Sequence, residues 1–253
     1  MVRRNKKERA PFPSPTFILA TIVCIIVGYG FYRFGHYMVT ESDMFKLKSI
    51  QVVGNKYIEK KEILKLADLK TGIRLFQINP DSITKRILQN PYFEGASVSR
   101  SLPSTLVIAV QERQPVAYLV DVRVYMVDRT GIILRKKPGM SLANYPLITG
   151  LSVRELLQDR KPLKDALKLL SRIQEVDSQI LDFVSEVHID RKKAPCLYLI
   201  RGGALVELGF ENTYRKIFLL SEFFKKSPIL NQLDQIKKID LTFSDRIVVT
   251  RKS

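Results

Sequence analysis

The chain has 253 residues, with 42 Lys and Arg against 25 Asp and Glu, a net charge of +17, and 45% hydrophobic residues. That apolar share supports real cores, and the length suits one or two folded domains behind a short tail and one membrane span. Two cysteines, one in an apolar run and one in a predicted strand, exclude a disulfide framework. The basic excess implies an anionic neighbour or a solvated basic surface. Nucleic acid is the weaker choice, because there is no zinc-finger spacing and no basic-aromatic ribonucleoprotein pattern.

Residues 1–15 form a short tail carrying Arg3, Arg4, Lys6, Lys7 and Arg9, with Pro11, Pro13 and Pro15 expected to keep the approach to the next segment non-helical. Residues 17–32 are apolar without a charge, and with flanks the segment 16–38 reads as one transmembrane anchor. The basic bias lies before the span, and Glu41 and Asp43 follow it, so the tail is expected in the cytoplasm and the rest outside. The competing reading is a cleavable signal peptide, for which Gly28-Tyr29-Gly30 offers small residues two apart. Large aromatics around that site, and Arg33 just after it, favour an uncleaved anchor. Exported domains without disulfides fit a bacterial envelope protein.

Residues 45–115 read as a first exported domain. Ile50 and Val52 share one face of a strand that Gly54-Asn55 ends. Residues 59–66 are helical by pattern, and a second helix opens at Asn79-Pro80-Asp81, where Asn79 caps and Pro80 suits the first helical position. Asn90-Pro91 stops it. Residues 96–101 and 105–112 are strands joined by Leu102-Pro103-Ser104, the second alternating Leu106, Ile108, Val110. The order strand-helix-helix-strand-strand predicts a three-stranded sheet with two helices on one face.

Residues 116–253 read as a second, mixed β domain with flanking helices. A hairpin spans 124–134 with Asp128 and Gly131 in its turn. Asn144-Tyr145-Pro146-Leu147-Ile148-Thr149-Gly150 crosses the sheet. Pro162 opens a helix whose Leu163, Leu167, Leu170 and Ile173 share a face. Residues 186–190, 196–200 and 204–208 are strands, with Gly202-Gly203 as a two-residue turn. Residues 212–226 form a helix carrying Ile217, Leu220, Phe223 and Phe224, and strands at 238–243 and 247–250 close the chain.

No catalytic constellation is visible. His36 and His188 are far apart and lack ligand-spaced neighbours, so no metal or cofactor is expected. No Gly-x-Ser-x-Gly elbow, His-Glu-x-x-His or phosphate loop occurs. The chain offers backbone instead: a short β-branched last strand often becomes a sheet edge able to accept a partner strand. The competing reading is an edge merely shielded by Arg246, Arg251 and Lys252.

Several motifs carry a resemblance. Ile50-Gln51-Val52-Val53-Gly54-Asn55, Asn90-Pro91-Tyr92-Phe93, Leu102-Pro103-Ser104-Thr105-Leu106 and Glu112-Arg113-Gln114-Pro115-Val116-Ala117 look like a POTRA domain, more narrowly that of the FtsQ/DivIB family of bacterial cell-division proteins. Val127-Asp128-x-x-Gly131, Leu208-Gly209 before the helix with Lys216, and Ile239-Asp240-Leu241 with Ile247-Val248-Val249 resemble the family's β domain. The fold class implied is α+β: one transmembrane helix, then a POTRA domain (βααββ) and a mixed β domain. The function implied is a non-enzymatic single-pass scaffold of the division septum in the inner membrane. It would bind FtsB-like and FtsL-like proteins through the β domain and other divisome proteins through anchor and POTRA domain, linking them to septal peptidoglycan synthesis. Carried over by residue, partner binding falls on Ile239, Asp240, Leu241, Thr242, Phe243, Ser244, Asp245, Arg246, Ile247, Val248, Val249 and Thr250, with Arg191 at the family's basic contact. The alternative is a POTRA-containing envelope scaffold for protein export or outer-membrane assembly.

Overall fold

A computed structural model describes residues 14–40, 43–137, 140, 144–190, 192–226, 228–243 and 246–252. Helix α1, Pro15–Thr40, holds a 24-residue segment, Pro15–Met38, long and apolar enough to cross a bilayer, with every side chain before Met38 exposed. At about 1.5 Å per residue, that segment exceeds a hydrocarbon core of about 30 Å. Pro15 does not hold the chain out of the helix as expected; it is the first helical residue. A first-turn N–H has no intrahelical acceptor, so a proline there loses nothing. The Ser14 carbonyl accepts from the Phe17 and Ile18 amides at 2.9 and 3.1 Å. Pro11 and Pro13 lie outside the described residues.

The chain divides into two units, residues 1–54, 60–87 and 96–110, and residues 55–59, 88–95 and 111–253. The first follows the expected order: β1 Ser49–Val53, α2 Lys60–Ala67, α3 Pro80–Leu88, β2 Phe93–Ser101 and β3 Thr105–Glu112. Sheet order is β1-β3-β2, with β1 parallel to β3 in the register Ser49↔Thr105 to Val53↔Ala109. The alternation in β3 buries Leu106, Ile108 and Val110 on one face. The helices bury Ile63 and Ala67, and Ile83 and Ile87, each pair one turn apart. Asn79 caps α3 as expected, its Oδ1 accepting from the Asp81 and Ser82 amides at 3.0 and 3.3 Å. Arg100 donates to the Leu75 and Ile78 carbonyls at 3.0 and 2.7 Å, fixing the single-turn segment Leu75–Gln77.

The second unit is built on a nine-stranded sheet. Its strands are β4 Pro115–Val120, β5 Val124–Asp128, β6 Ile133–Leu134, β7 Leu147–Thr149, β8 Val184–His188, β9 Cys196–Leu199, β10 Leu205–Glu207, β11 Ile236–Asp240 and β12 Val248–Arg251. They lie in the order β12-β11-β10-β9-β8-β7-β4-β5-β6. Helices α4 Val153–Leu156, α5 Lys161–Asp177 and α6 Thr213–Lys226 complete it. One residue row runs in register across seven strands: Val249, Ile239, Val206, Leu197, Val187, Ile148, Leu119. It shares one apolar cluster with Leu163, Leu167, Leu170 and Ile173 of α5 and Ile217, Leu220 and Phe224 of α6. Asp177 ties the two helices, accepting from Ser221 Oγ at 2.6 Å and pairing with Lys225 at 2.9 Å. Gly202 and Gly203 both take positive φ, 68° and 65°, as the two-residue turn requires.

The motif Glu112-Arg113 acquires a physical meaning. The buried Glu112 carboxylate accepts from the amides of Lys56, Tyr57 and Ile58 at 2.8 to 3.1 Å. Arg113 donates to the Pro91 carbonyl at 2.9 Å and to Asp128 Oδ2 at 2.7 Å. Asp128 opens the turn as expected, the Gly131 amide donating to its carbonyl at 3.0 Å, and its side chain is buried, with Oδ1 accepting from the Thr130 and Ile132 amides at 2.9 and 2.8 Å. Burial pushes its carboxyl up, but the Ile132 amide, the Thr130 hydroxyl and the Arg113 guanidinium prevail and hold it below the usual carboxylate range.

Two predictions follow from this framework. Gly54 has φ +84°, and a Cβ there would lie 2.1 Å from the Val110 carbonyl oxygen; Gly72 has φ +88° with open space around it. Gly54→Ala is expected to lower the unfolding midpoint of the full chain in detergent clearly more than Gly72→Ala, for which about 1 kcal/mol of strain is expected. Asp128→Asn is expected to cost about 1–3 kcal/mol near neutral pH. Because the native carboxyl titrates below its unfolded value, the contribution is complete above about pH 4 and is lost as pH falls through the lowered native value. Urea unfolding at stepped pH should therefore show wild type and variant converging in acid.

Candidate partner-binding surface

Strand β12 is the outer strand of the large sheet, hydrogen-bonded to β11 on one side, so one row of its backbone groups has no strand partner among the described residues. Its register is Asp240↔Val248, Ile239↔Val249 and Lys238↔Thr250, with a bulge between Ile236 and Lys238. Strand β11 also pairs with β10, in parallel, so its backbone is occupied on both sides.

The expected contact residues therefore separate. Ile239 and Leu241 are fully buried in the apolar cluster, and Ile247 and Val249 pack against it from β12 and its approach. These four hold the edge in place. Phe243 and Val248 are 46% and 40% exposed, and Thr250 is exposed. Arg246 stands over the Phe243 ring, Cζ 5.6 Å from its centre. Ser244, Asp245 and Arg191 lie outside the described residues.

Asp240 organises the exit from β11. Its Oδ1 accepts from the Thr242 amide at 2.9 Å and the Thr242 hydroxyl at 2.6 Å, and Lys238 bridges it to Glu207 at 3.0 and 2.7 Å. Partial burial pushes the Asp240 carboxyl up, yet the Thr242 and Lys238 contacts hold it below the usual range. The Glu207 and Asp240 bonds push the Lys238 ammonium up. Asp240 thus stays charged and fixes the turn that presents Phe243.

On the face away from the helices, a second row runs in register across six strands: Val248, Asp240, Glu207, Cys196, His188 and Thr149. It is polar where the helix-facing row is apolar. His188 Nδ1 lies 2.7 Å from Thr149 Oγ1, which also bonds Glu186. Burial pushes the Cys196 thiol up, favouring its protonated form. A cavity of about 720 Å³ opens beside this face, lined among others by Cys196, Glu207, Gly209, Phe210, Lys216 and Thr242. Among the described residues, no group of three or more His, Cys, Asp or Glu side chains could hold a metal ion. Sequence reasoning passed over this cavity; Lys216 in the helix after Leu208-Gly209 was visible in the chain, but its burial was not.

Two family models match this chain: "POTRA domain, FtsQ-type" over residues 45–113 and "FtsQ/DivIB, C-terminal related" over residues 114–250. It is 30% identical to "Cell division protein FtsQ" of Geotalea daltonii over 97% of this chain and 88% of that protein. It is 29% identical to the protein of that name from Geobacter sp. strain M21, over 99% and 94%. "Cell division protein DivIB" of Clostridium acetobutylicum is 32% identical over 44% of this chain and 45% of that protein. With the second model covering more than half of its residues, this chain belongs to the FtsQ/DivIB family.

Proposed function

We propose that this protein is a non-enzymatic scaffold of bacterial cell division, held once in the plasma membrane by α1. The names of its relatives support the division role. The basic residues Arg3, Arg4, Lys6, Lys7 and Arg9 support a cytoplasmic N-terminus, with the POTRA domain (45–115) and the β domain (116–253) on the other side. The β domain would receive an FtsB-type partner, with an FtsL-type protein in the same complex, and so couple early division proteins to septal peptidoglycan synthesis. The anchor and POTRA domain would meet further divisome components.

The observation that carries this reading is the outer edge of β12, without a strand partner among the described residues, with Val248 in it and Phe243 before it exposed. A partner strand laid along it gains main-chain hydrogen bonds, and side chains pointing to the polar face would set specificity. The work is recognition: no bond is made or broken.

Phe243→Glu with Val248→Glu is expected to weaken capture of an FtsB-type partner at least about tenfold while circular dichroism and the unfolding midpoint stay close to wild type. Val248 is a cleaner target than Ile247, because Ile247 packs on the core and a charge there would also unfold the edge. Undiminished capture by a folded double variant would refute the edge as the binding site.

A further inference from the structure

Outside α1, the first unit exposes five large apolar side chains among its described residues: Met44, Val53, Ile73, Phe76 and Leu102. Four of them gather at one end. The Leu47 amide donates to the Ile73 carbonyl at 2.8 Å, the Leu47 carbonyl accepts from the Gly72 amide at 3.0 Å, and Lys46 pairs with Arg74 in an antiparallel bridge. The segment after α1 is thereby clipped to the loop between α2 and α3. The Phe45 and Phe76 rings lie with centres 5.4 Å apart beside that clip. The Ser104 carbonyl accepts from the Lys48 amide at 2.9 Å, which brings the turn carrying Leu102 to the same end. Val53 closes β1 at the other end of the sheet.

Covalent reach says what this end lies beside. Met44 follows Thr40, the last residue of α1, by four positions, so even a fully extended link separates their Cα atoms by no more than about 14 Å. The apolar span ends at Met38, only two residues before Thr40. The headgroup layer adds about 5–8 Å on each side of the hydrocarbon core. The patch is thus tethered next to the apolar phase that α1 itself enters, and a clustered apolar surface gains by leaving water there. Charge does not supply the attraction. Segments 41–48 and 68–76 carry Lys46, Lys48, Lys70 and Arg74 against Glu41, Asp43 and Asp68, and Lys46 is paired with Asp43 at 2.6 Å.

We propose that Met44, Ile73, Phe76 and Leu102 dip into the lipid interface of the membrane that α1 spans, so that the POTRA domain rests on the bilayer by its anchor-proximal end. The inference rests on the reading of α1 as a transmembrane anchor. The occupant of the patch is lipid, the contact is apolar, and it is insensitive to salt and to headgroup charge. It sets the height of the domain above the bilayer by a hydrophobic grip instead of by the tether alone.

The chain contains no tryptophan, so a single introduced one reports without background. The full chain is reconstituted into phosphatidylcholine vesicles, with or without bromine atoms near the headgroup end of the acyl chains. Phe31→Trp, within α1, reports on the anchor, and Val53→Trp on the opposite end of the sheet. The fluorescence of Phe76→Trp is expected to fall at least about twofold in brominated lipid, and that of Val53→Trp to stay unchanged. Added salt or anionic lipid is expected to alter neither, and Met44→Glu with Ile73→Glu to abolish the quenching of Phe76→Trp. Quenching of Phe31→Trp without quenching of a folded Phe76→Trp would overturn the proposal and leave the anchor standing. An unquenched Phe31→Trp would overturn the anchor and the proposal with it. Blue-shifted Phe76→Trp emission without quenching would mean that a second copy of the chain covers the patch, which overturns the proposal, as does quenching that salt removes or that survives the two glutamates. Should Phe76→Trp lower the unfolding midpoint, Ile73→Trp takes its place.

Discussion

The parallel pairing of β10 with β11 is the constraint from which the position of β12 as outer strand follows. Parallel neighbours cannot be joined by a tight turn; the chain must leave the sheet and return to the same end. Here α6 and the irregular helical stretch Pro228–Gln235 make that return, and α6 lays Ile217, Leu220 and Phe224 on the helix-facing side. Once β11 is held between β10 and an antiparallel β12, its own backbone is spent. β12 is left with one side that has no strand partner among the described residues. The core contacts of Ile247 and Val249 then fix the edge in position instead of letting it fray.

An unpaired edge is also a hazard, because any extended chain can add to it. This one is short, carries Arg251 and exposed Thr250, and faces a strand bulged between Ile236 and Lys238. Those features discourage promiscuous pairing without closing the edge. Under the proposed function, specificity would rest on what lies beside the backbone: Phe243 presented by the Asp240–Thr242 turn, and the row that begins at Val248. The two faces of the sheet thus differ, one apolar and packed with α5 and α6, the other largely polar.

Much of this was legible in the chain. Strict alternation in Leu106, Ile108 and Val110, the Asn79-Pro80 cap and the Gly202-Gly203 turn are local signals, and local physics sufficed to read them. β4 was not recognised as a strand: Ala117, Tyr118 and Leu119 are all buried, so the period-two pattern vanishes where both faces are covered. α4 is too short to show a helical period. Asp128 read as an ordinary turn residue because its partner Arg113 comes from a different strand connection.

The amino-acid order by itself determined the apolar span, the strands and helices other than β4 and α4, and the motifs that mark the family, because each depends on neighbours within a few residues. Only the tertiary structure decided which strand of the last pair keeps a free edge, which of its residues are core and which are displayed, and that Lys216 is buried beside an open cavity. Those properties arise from pairings between residues tens of positions apart, as in Glu207↔Asp240 and Glu207↔Cys196, and long-range register leaves no periodic trace along the chain.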